Sequence, residues 1–160
     1  MKKTNFLNRM QREGKLELVE PSEEIKQSYM AKSESNLISA KILLSNNRLE
    51  ESVGLAYYSM YHMLTALLSK VGVKSENHSI SIILLKELFG LENKEIFDSK
   101  TERIDKQYYV DFMITKTDVE DTIRKAEVFN GKMVDFMSKL KNEEISVYRK
   151  KFANITKLNV

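Results

Sequence analysis

The sequence predicts an all-α fold, an antiparallel up-and-down bundle of four to five helices followed by a short C-terminal helix or tail. Apolar residues recur at three- and four-residue steps in several long segments, which is the period of one helix face. The 160 residues include one proline and five glycines, a composition that favours long helices over tight turns. No segment alternates apolar and polar residues beside a hairpin signal, so no strand ladder is predicted. Because the composition shows no break, we expect a single domain with its core at about residues 20–141.

The first long helix is predicted to begin after Pro21 and to end near Asn46. Ser22 is suited to the N-cap, and the two glutamates that follow favour the positive end of the helix dipole. The residues expected to form its buried face are Ile25, Tyr29, Leu37, Ala40 and Leu44.

The second and third helices are marked by glycines at their ends. The second is predicted from Leu49 to Val71, with Gly72 as the left-handed C-cap. A polar loop at 74–77 separates it from a third helix, Ser79 to Phe89, which Gly90 ends. Since the third helix is apolar on nearly all sides, it is expected to be the central one.

The remaining chain is predicted to contain two further helices and a tail. Residues 92–110 suggest a more polar fourth helix with Ile96, Phe97, Ile104 and Tyr108 inward. After a loop at 111–116, the segment Thr117–Glu120 has capping-box spacing and begins a fifth helix that reaches about Lys141. Its apolar face is Val119, Ile123, Ala126, Phe129, Met133, Phe136 and Leu140. Residues 143–160 could form a sixth helix or a frayed end.

The residue types present exclude several classes of site. The chain has no cysteine, which excludes disulfides, thiolate metal sites and a cysteine nucleophile. It has two histidines, His62 and His78, so a histidine-rich metal cluster is not expected, and no metal or cofactor is predicted. The glycine-rich phosphate loop, the zinc-protease motif and the serine nucleophile elbow are all absent from the sequence.

The apolar runs and the charge distribution indicate the cellular location to expect. The longest apolar run, Ile82–Leu85, is far shorter than the ~20 residues needed to span a bilayer, and no signal-peptide pattern follows the basic N-terminus. A cytoplasmic location without membrane attachment is therefore expected. The net charge of +3 is concentrated in a basic lead-in, 1–21, and a basic tail, 142–160. These ends could contact phosphate backbones or serve only to keep the protein soluble.

A polar face on the second helix is the first candidate site. Tyr58, His62, Thr65 and Ser69 follow one another at steps of four, three and four residues, opposite the apolar stripe. Aromatic rings on this face could stack on a base while His62 and the hydroxyls meet phosphate or ribose. Alternatively, the tyrosines pack with their polar ends at the rim and His62 satisfies a neighbouring backbone group.

His78 and Ser79 form a second candidate at the start of the third helix. The amide groups of a helix N-terminus together with an imidazole could hold an anion. The structural alternative is a loop histidine that closes the turn.

Several segments in order resemble HEPN (higher eukaryotes and prokaryotes nucleotide-binding) domains. The run from Ala56 to Leu68 is similar to the family's alanine-tyrosine-tyrosine helix, and Asn77-His78-Ser79 stands where a Thr-His-Ser segment is common. The segment 103–109, with Arg103, Tyr108 and Tyr109, stands where the relatives carry an arginine and an Asp-Tyr pair. The capped helix at 117–140 and the lead-in at 13–21 also fit. The resemblance covers about residues 10–141.

The resemblance implies an up-and-down helical bundle that commonly forms a homodimer with its functional groove at the interface. Many HEPN proteins are RNA-cleaving toxins with an arginine followed, after four to six residues, by a histidine. A nucleotidyltransferase encoded alongside often neutralises them. Here Arg103 is followed after four residues by Tyr108, and no histidine lies beyond His78. Tyrosine, with a pKa near 10, is a poor general base compared with histidine near 6.5.

Three functions remain open on the sequence. The preferred one is a non-cleaving module that binds a nucleotide or RNA, or pairs with a nucleotidyltransferase in a toxin–antitoxin-like system. Its expected ligand-binding residues are Tyr58, His62, Thr65, His78, Ser79, Arg103, Tyr108 and Tyr109. The second is a divergent metal-independent ribonuclease, whose catalytic candidates are Arg103 with His62 or His78. The third is a helical module that binds only protein.

Overall fold

The computed structural model describes residues 2–108 and 113–156, with side chains for residues 5–105 and 113–156. Within these ranges the chain forms seven helices and one two-stranded sheet, which confirms the all-α prediction. The elements in chain order are α1 (Lys2–Arg12), β1 (Leu16–Leu18), α2 (Glu23–Ser45), α3 (Leu49–Val71), β2 (Val73–Ser75), α4 (His78–Phe89), α5 (Lys94–Tyr108), α6 (Lys116–Lys139) and α7 (Asn142–Ile155). None of these helices combines the length and apolar character needed to span a membrane.

Helices α2 and α3 form a hairpin in close contact because small residues lie where they meet. The Ser33 hydroxyl donates to the Ser59 carbonyl at 2.6 Å, and the Ser59 hydroxyl donates to the Ser33 carbonyl at 2.8 Å. Further along, the Ser52 hydroxyl donates to the Ala40 carbonyl at 2.7 Å. All four side chains are fully buried, so these hydrogen bonds satisfy hydroxyl groups that would otherwise be costly to bury.

The central helix is α3, and not α4 as the sequence suggested. It contacts α2, α4, α5, α6 and α7, and most of its residues are buried. Helix α4 has only twelve residues, contacts α3, α7 and β2, and leaves Lys86 exposed. Helix α3 is the central one because its 23 residues offer more surface for neighbouring helices to cover.

Three elements, β1, β2 and α1, were not predicted. Strands β1 and β2 pair antiparallel with Leu16 opposite Ser75 and Leu18 opposite Val73, so part of the predicted polar loop at 74–77 is a strand. Three residues are too few to produce a recognisable alternation. The lead-in also contains α1, which buries Leu7 and Met10 in the core.

Some predicted faces and caps were wrong. Ile25 is 49% exposed and Phe97 is 57% exposed, although both were expected to point inward. In α2 the buried positions are Lys26, Ser33 and Ala40. Ala40 was predicted, but Lys26 and Ser33 are polar residues, which a hydrophobicity pattern does not mark as buried. Helix α6 is capped two residues earlier than predicted. The Thr115 hydroxyl accepts from the Asp118 backbone amide, and the Asp118 carboxylate accepts from the Thr115 backbone amide.

The C-terminal segment, which the sequence left open as a helix or a frayed end, forms helix α7 and buries Phe152. Nη1 of Arg149 donates to the carbonyls of Val19, Val71 and Gly72 at 2.7, 3.0 and 3.1 Å. Gly72 ends α3 with φ at 75°, and a Cβ there would lie 2.3 Å from the Val19 oxygen. A cation at the carbonyl end of α3 is also favoured by the helix dipole. Arg149 thus connects α7 and the segment that follows β1 to the end of the central helix.

Replacing Arg149 by alanine is expected to lower the free energy of unfolding by about 2 kcal/mol, because three carbonyls lose a charged donor. For a chain of this size the melting temperature should fall by about 4–8 °C. Thermal melts followed by circular dichroism measure the change. Arg124→Ala is the matched control, since that guanidinium contacts only Asp121 among described residues and its side chain is 67% exposed. Equal melting temperatures for both variants would contradict the role given to Arg149.

Candidate functional site

A strip along the middle of α3 remains open to solvent. Tyr58, His62, Thr65 and Ser69 are partly exposed positions on this strip, as their spacing predicted, and Leu55 continues it toward the start of the helix. Helices α2 and α5 and the start of α4 border this strip and add side chains to it. The central helix therefore presents polar groups to solvent along this line.

Helix α5 brings Arg103 to the strip. The centre of its guanidinium lies 5.3 Å from the Tyr57 ring centroid and 5.2 Å from that of Tyr58. Its Nη1 also donates to the Tyr58 hydroxyl at 3.2 Å. Contacts with two aromatic rings hold the guanidinium in place and favour its positive charge. The structure thus places two of the sequence-predicted residues, Tyr58 and Arg103, in direct contact.

His78 joins the same group of side chains. It is the first residue of α4, where Asn77 caps the helix by accepting from the Ile80 amide at 3.0 Å. The His78 ring stacks on Tyr61 with centroids 3.7 Å apart, and its Nδ1 is 2.8 Å from the Tyr57 hydroxyl. His78 therefore contacts Tyr57, the ring that Arg103 also contacts.

His62 lies on the other side of Tyr58. Its ring stacks between Tyr29 and Tyr58, with centroid separations of 5.9 and 6.1 Å. Nδ1 accepts from the amide nitrogen of Asn36 at 2.9 Å. Because Asn36 donates to Nδ1, the neutral ring carries its proton on Nε2. His62 is thus fixed by a side chain of α2, and not by the backbone group considered from the sequence.

Burial determines the charge states of these groups. It lowers the pKa of His62 to about 4, with smaller contributions from the positive charges of Lys32 and His78. Burial also lowers the pKa of His78, assisted by Arg103 and Lys100. The pKa values of Tyr57 and Tyr61 are raised because their rings are buried. Near neutral pH both imidazoles and both phenols are therefore uncharged, and the positive charge is carried by Arg103.

The remaining predicted residues have more peripheral positions. The Thr65 hydroxyl donates to the Tyr61 carbonyl at 2.9 Å, and the Ser79 hydroxyl accepts from Lys100 at 2.7 Å. Tyr109 and the side chain of Tyr108 lie outside the described residues. In the part of the chain that the structure describes, no three His, Asp or Glu side chains are grouped to hold a metal ion.

Sequence reasoning missed several members of this site. Tyr57 was not among the expected ligand-binding residues, yet its hydroxyl contacts His78 and its ring contacts Arg103. Asn36 and Tyr29 are distant along the chain from His62, so no spacing rule connects them. Lys100 could have been noticed, since it precedes Arg103 by three residues and lies on the same side of α5. We define the site cluster as Tyr57, Tyr58, Tyr61, His62, His78 and Arg103.

Comparison with known proteins agrees with this architecture. The model of the HEPN domain family matches residues 27–142, which covers most of the bundle and all of the site cluster. This chain belongs to the HEPN domain family.

Two relatives of this HEPN domain are UPF0332 proteins. One, from Pyrococcus horikoshii, is 42% identical over 59 residues, which is 37% of this chain and 39% of that protein. Another, from Thermotoga maritima, is 29% identical over 114 residues, or 67% of this chain and 86% of that protein. The chain therefore spans well under half of the first relative and most of the second. The family match begins after β1 and ends at the first residue of α7, so α1, β1 and nearly all of α7 lie outside it.

Both histidines of this HEPN domain should titrate below the ordinary pKa of histidine. We expect the His62 imidazole to titrate near pH 4 and His78 below its usual value of 6.5, because burial disfavours both charged forms. Proton NMR of the ring C–H groups measures both values, and His62→Gln and His78→Gln assign the signals. A titration of His62 at or above 6.5 would contradict the buried environment described for it.

Stability should respond to pH in the same interval. Since the pKa of His62 is lower in the folded chain than in the unfolded chain, the unfolded state binds more protons between about pH 4 and 6.5. The contribution of His62 to stability is therefore complete above pH 6.5 and is lost as the pH falls toward 4. The free energy of unfolding, measured with urea at several pH values across this range, should depend less steeply on pH for His62→Gln than for the wild type.

Proposed function

We propose that this HEPN domain binds nucleotide units, free or within RNA, with Arg103 as the phosphate contact, and that it does not cleave RNA. The observation that carries the proposal is the position of the Arg103 guanidinium. It lies against the rings of Tyr57 and Tyr58 beside His78, on the strip of α3 that is open to solvent. Membership of the HEPN family supports the same assignment.

The chemistry of the cluster suits a phosphate. A guanidinium offers several N–H donors in one plane, which match the oxygens of a phosphate. Contact with two rings limits the motion of Arg103 before the ligand arrives, so less conformational entropy is lost on binding. Lys100, which reaches the Ser79 hydroxyl, adds a second positive charge nearby.

The same geometry favours binding over cleavage. Metal-independent cleavage of RNA needs one group to accept a proton and another to donate one. The lowered pKa values of His62 and His78 leave both imidazoles unprotonated near neutral pH, so neither is an effective acid. The raised pKa of Tyr57 makes its hydroxyl a poor base. His62 and His78 also have their Nδ1 atoms hydrogen-bonded to Asn36 and Tyr57.

A second candidate function is metal-independent RNA cleavage. The observation that favours it is the presence of His78 in one cluster with Arg103. A neutral imidazole with a lowered pKa can accept a proton, while Arg103 would stabilise charge on the scissile phosphate. His62, the other catalytic candidate, lies beyond Tyr58 and has a pKa lowered to about 4, so it suits this role less well.

Association with other chains is also part of the proposal. We expect a homodimer, and pairing with a nucleotidyltransferase, as the resemblance to HEPN domains implies; the match to the family over residues 27–142 supports this expectation. The exposed side chains Ile38 and Ile42, 54% and 58% accessible on the outer face of α2, are suited to a protein contact.

Arg103→Ala should weaken the binding of a nucleotide or a short RNA by about 10- to 100-fold, because a charge-assisted hydrogen bond is worth roughly 1.5–3 kcal/mol. Tyr58→Phe should have a smaller effect, about 2- to 10-fold, since it removes the hydroxyl that orients Arg103 but keeps the ring. Isothermal titration calorimetry measures both. The control is Arg124→Ala, which removes a surface guanidinium of α6 outside the cluster. Unchanged affinity in both cluster variants would refute the assignment of Arg103.

Cleavage is tested by expressing the wild-type chain alone in a bacterial host. We expect normal growth and intact cellular RNA, because the cluster lacks an effective proton donor at neutral pH. Growth arrest with RNA degradation that disappears in both Arg103→Ala and His78→Ala would instead establish the second candidate. Arg124→Ala serves again as the matched control.

A further inference from the structure

A groove of about 500 Å³ lies beside the site cluster, between the first half of α2, the last half of α3 and strand β2. Its volume is within the range of small-molecule binding sites. Val19, Ile25, Leu68 and Val73 supply apolar surface, and Tyr29 supplies an aromatic ring. Polar groups, including the hydroxyls of Thr65 and Ser69, line the α3 side. We call this the Tyr29 groove.

The Tyr29 groove is continuous with the cluster. The Tyr29 ring that lines it also stacks on His62, with an interplanar angle of 28°. Thr65 lines it and donates to the carbonyl of Tyr61, a cluster residue. From Tyr58, which holds Arg103, to Thr65 is seven residues along α3, or about 10 Å. An extended nucleotide can reach from one end of that distance to the other.

The charges of the two regions differ in sign. The cluster has Arg103 and Lys100. The groove is bordered by Glu20 and Glu76, and its lysine, Lys74, is shared between Glu17 at 3.3 Å and Glu76 at 3.2 Å. A phosphate is therefore attracted to the cluster and repelled from the groove. A carboxylate border suits a group that donates hydrogen bonds, such as an exocyclic amine.

We propose that the Tyr29 groove is the base-binding part of the site and takes a nucleobase that carries an exocyclic amino group. The base stacks on the Tyr29 ring and contacts the apolar surface. Its amino group donates to the carboxylate border, and the phosphate of the same nucleotide reaches Arg103. This inference rests on the proposed function for the phosphate end, whereas base binding in the groove can be measured by itself.

The test compares five ligands by calorimetry: adenosine, uridine, AMP, ribose 5-phosphate and hexaadenylate. Stacking of one base on aromatic side chains is worth about 5- to 150-fold in affinity. AMP should therefore bind about that much more tightly than ribose 5-phosphate, and adenosine should bind without a phosphate. Uridine, which has no exocyclic amino group, should bind several-fold more weakly than adenosine. Tighter binding of hexaadenylate than of AMP would assign the groove to RNA, and equal binding would assign it to a free nucleotide; either result supports the groove.

Two variants remove the groove. Ser69→Leu fills it from α3, where the Ser69 side chain has no described hydrogen bond. Tyr29→Leu removes the ring but keeps an apolar side chain, and it keeps the proposal testable if Ser69→Leu does not fold. Both should bring the affinity for AMP down to that for ribose 5-phosphate and leave the latter unchanged. Ser45→Leu is the matched control, since Ser45 is exposed near the end of α2, away from the groove.

The outcomes separate the two proposals. Failure of adenosine to bind, or unchanged AMP affinity in the folded groove variants, would overturn the base-binding role. Failure of ribose 5-phosphate to bind, or equal binding to Arg103→Ala and the wild type, would overturn the phosphate role of Arg103. In that second case, adenosine binding that is lost in Ser69→Leu would still support the groove.

Discussion

The burial of α3 is the constraint on which the rest of the structure depends. A helix of 23 residues in contact with five other helices has little surface left for solvent. What remains along the middle of the helix is a strip at Leu55, Tyr58, His62, Thr65 and Ser69, where polar side chains predominate because the other sides are covered by neighbouring elements. The candidate site therefore lies on the part of the central helix that the bundle leaves open, and its position follows from packing.

The contact between α2 and α3 then sets the geometry of that strip. Reciprocal hydrogen bonds between Ser33 and Ser59 fix the register of the two helices within the core. Three residues after each serine in the sequence, the side-chain amide of Asn36 meets His62. A shift in register would separate this pair, and the Nδ1 atom of a half-buried imidazole would lose its donor. The buried serines therefore position His62 although they do not touch it.

The sequence predicted the fold well where one physical signal dominated. Apolar periodicity and the Gly72 cap gave α3 its observed bounds, and Ser22 caps α2 as expected. Prediction failed where packing decided the outcome: Ile25 is 49% exposed, whereas Lys26 beside it is buried. In the candidate site, the spacing along α3 predicted that Tyr58 and His62 share one face, and the resemblance pointed to Arg103. The pairing of His78 with Tyr57, and of His62 with Asn36, depends on how separate helices meet, which no local pattern encodes.

The two parts of the site differ in their relation to the family. All members of the site cluster lie within the matched residues 27–142. The Tyr29 groove, in contrast, takes Val19, Glu20, Ser22 and Ile25 from the segment before that match. The carbonyl of Val19 accepts a hydrogen bond from Arg149 of α7, a residue that lies beyond the C-terminal end of the match. A HEPN bundle without these flanking segments would keep the cluster but would lose one wall of the groove and the arginine that holds this wall against α3. Under the base-binding proposal, selectivity for a base is the property in which this chain and a HEPN bundle without the flanking segments should differ most.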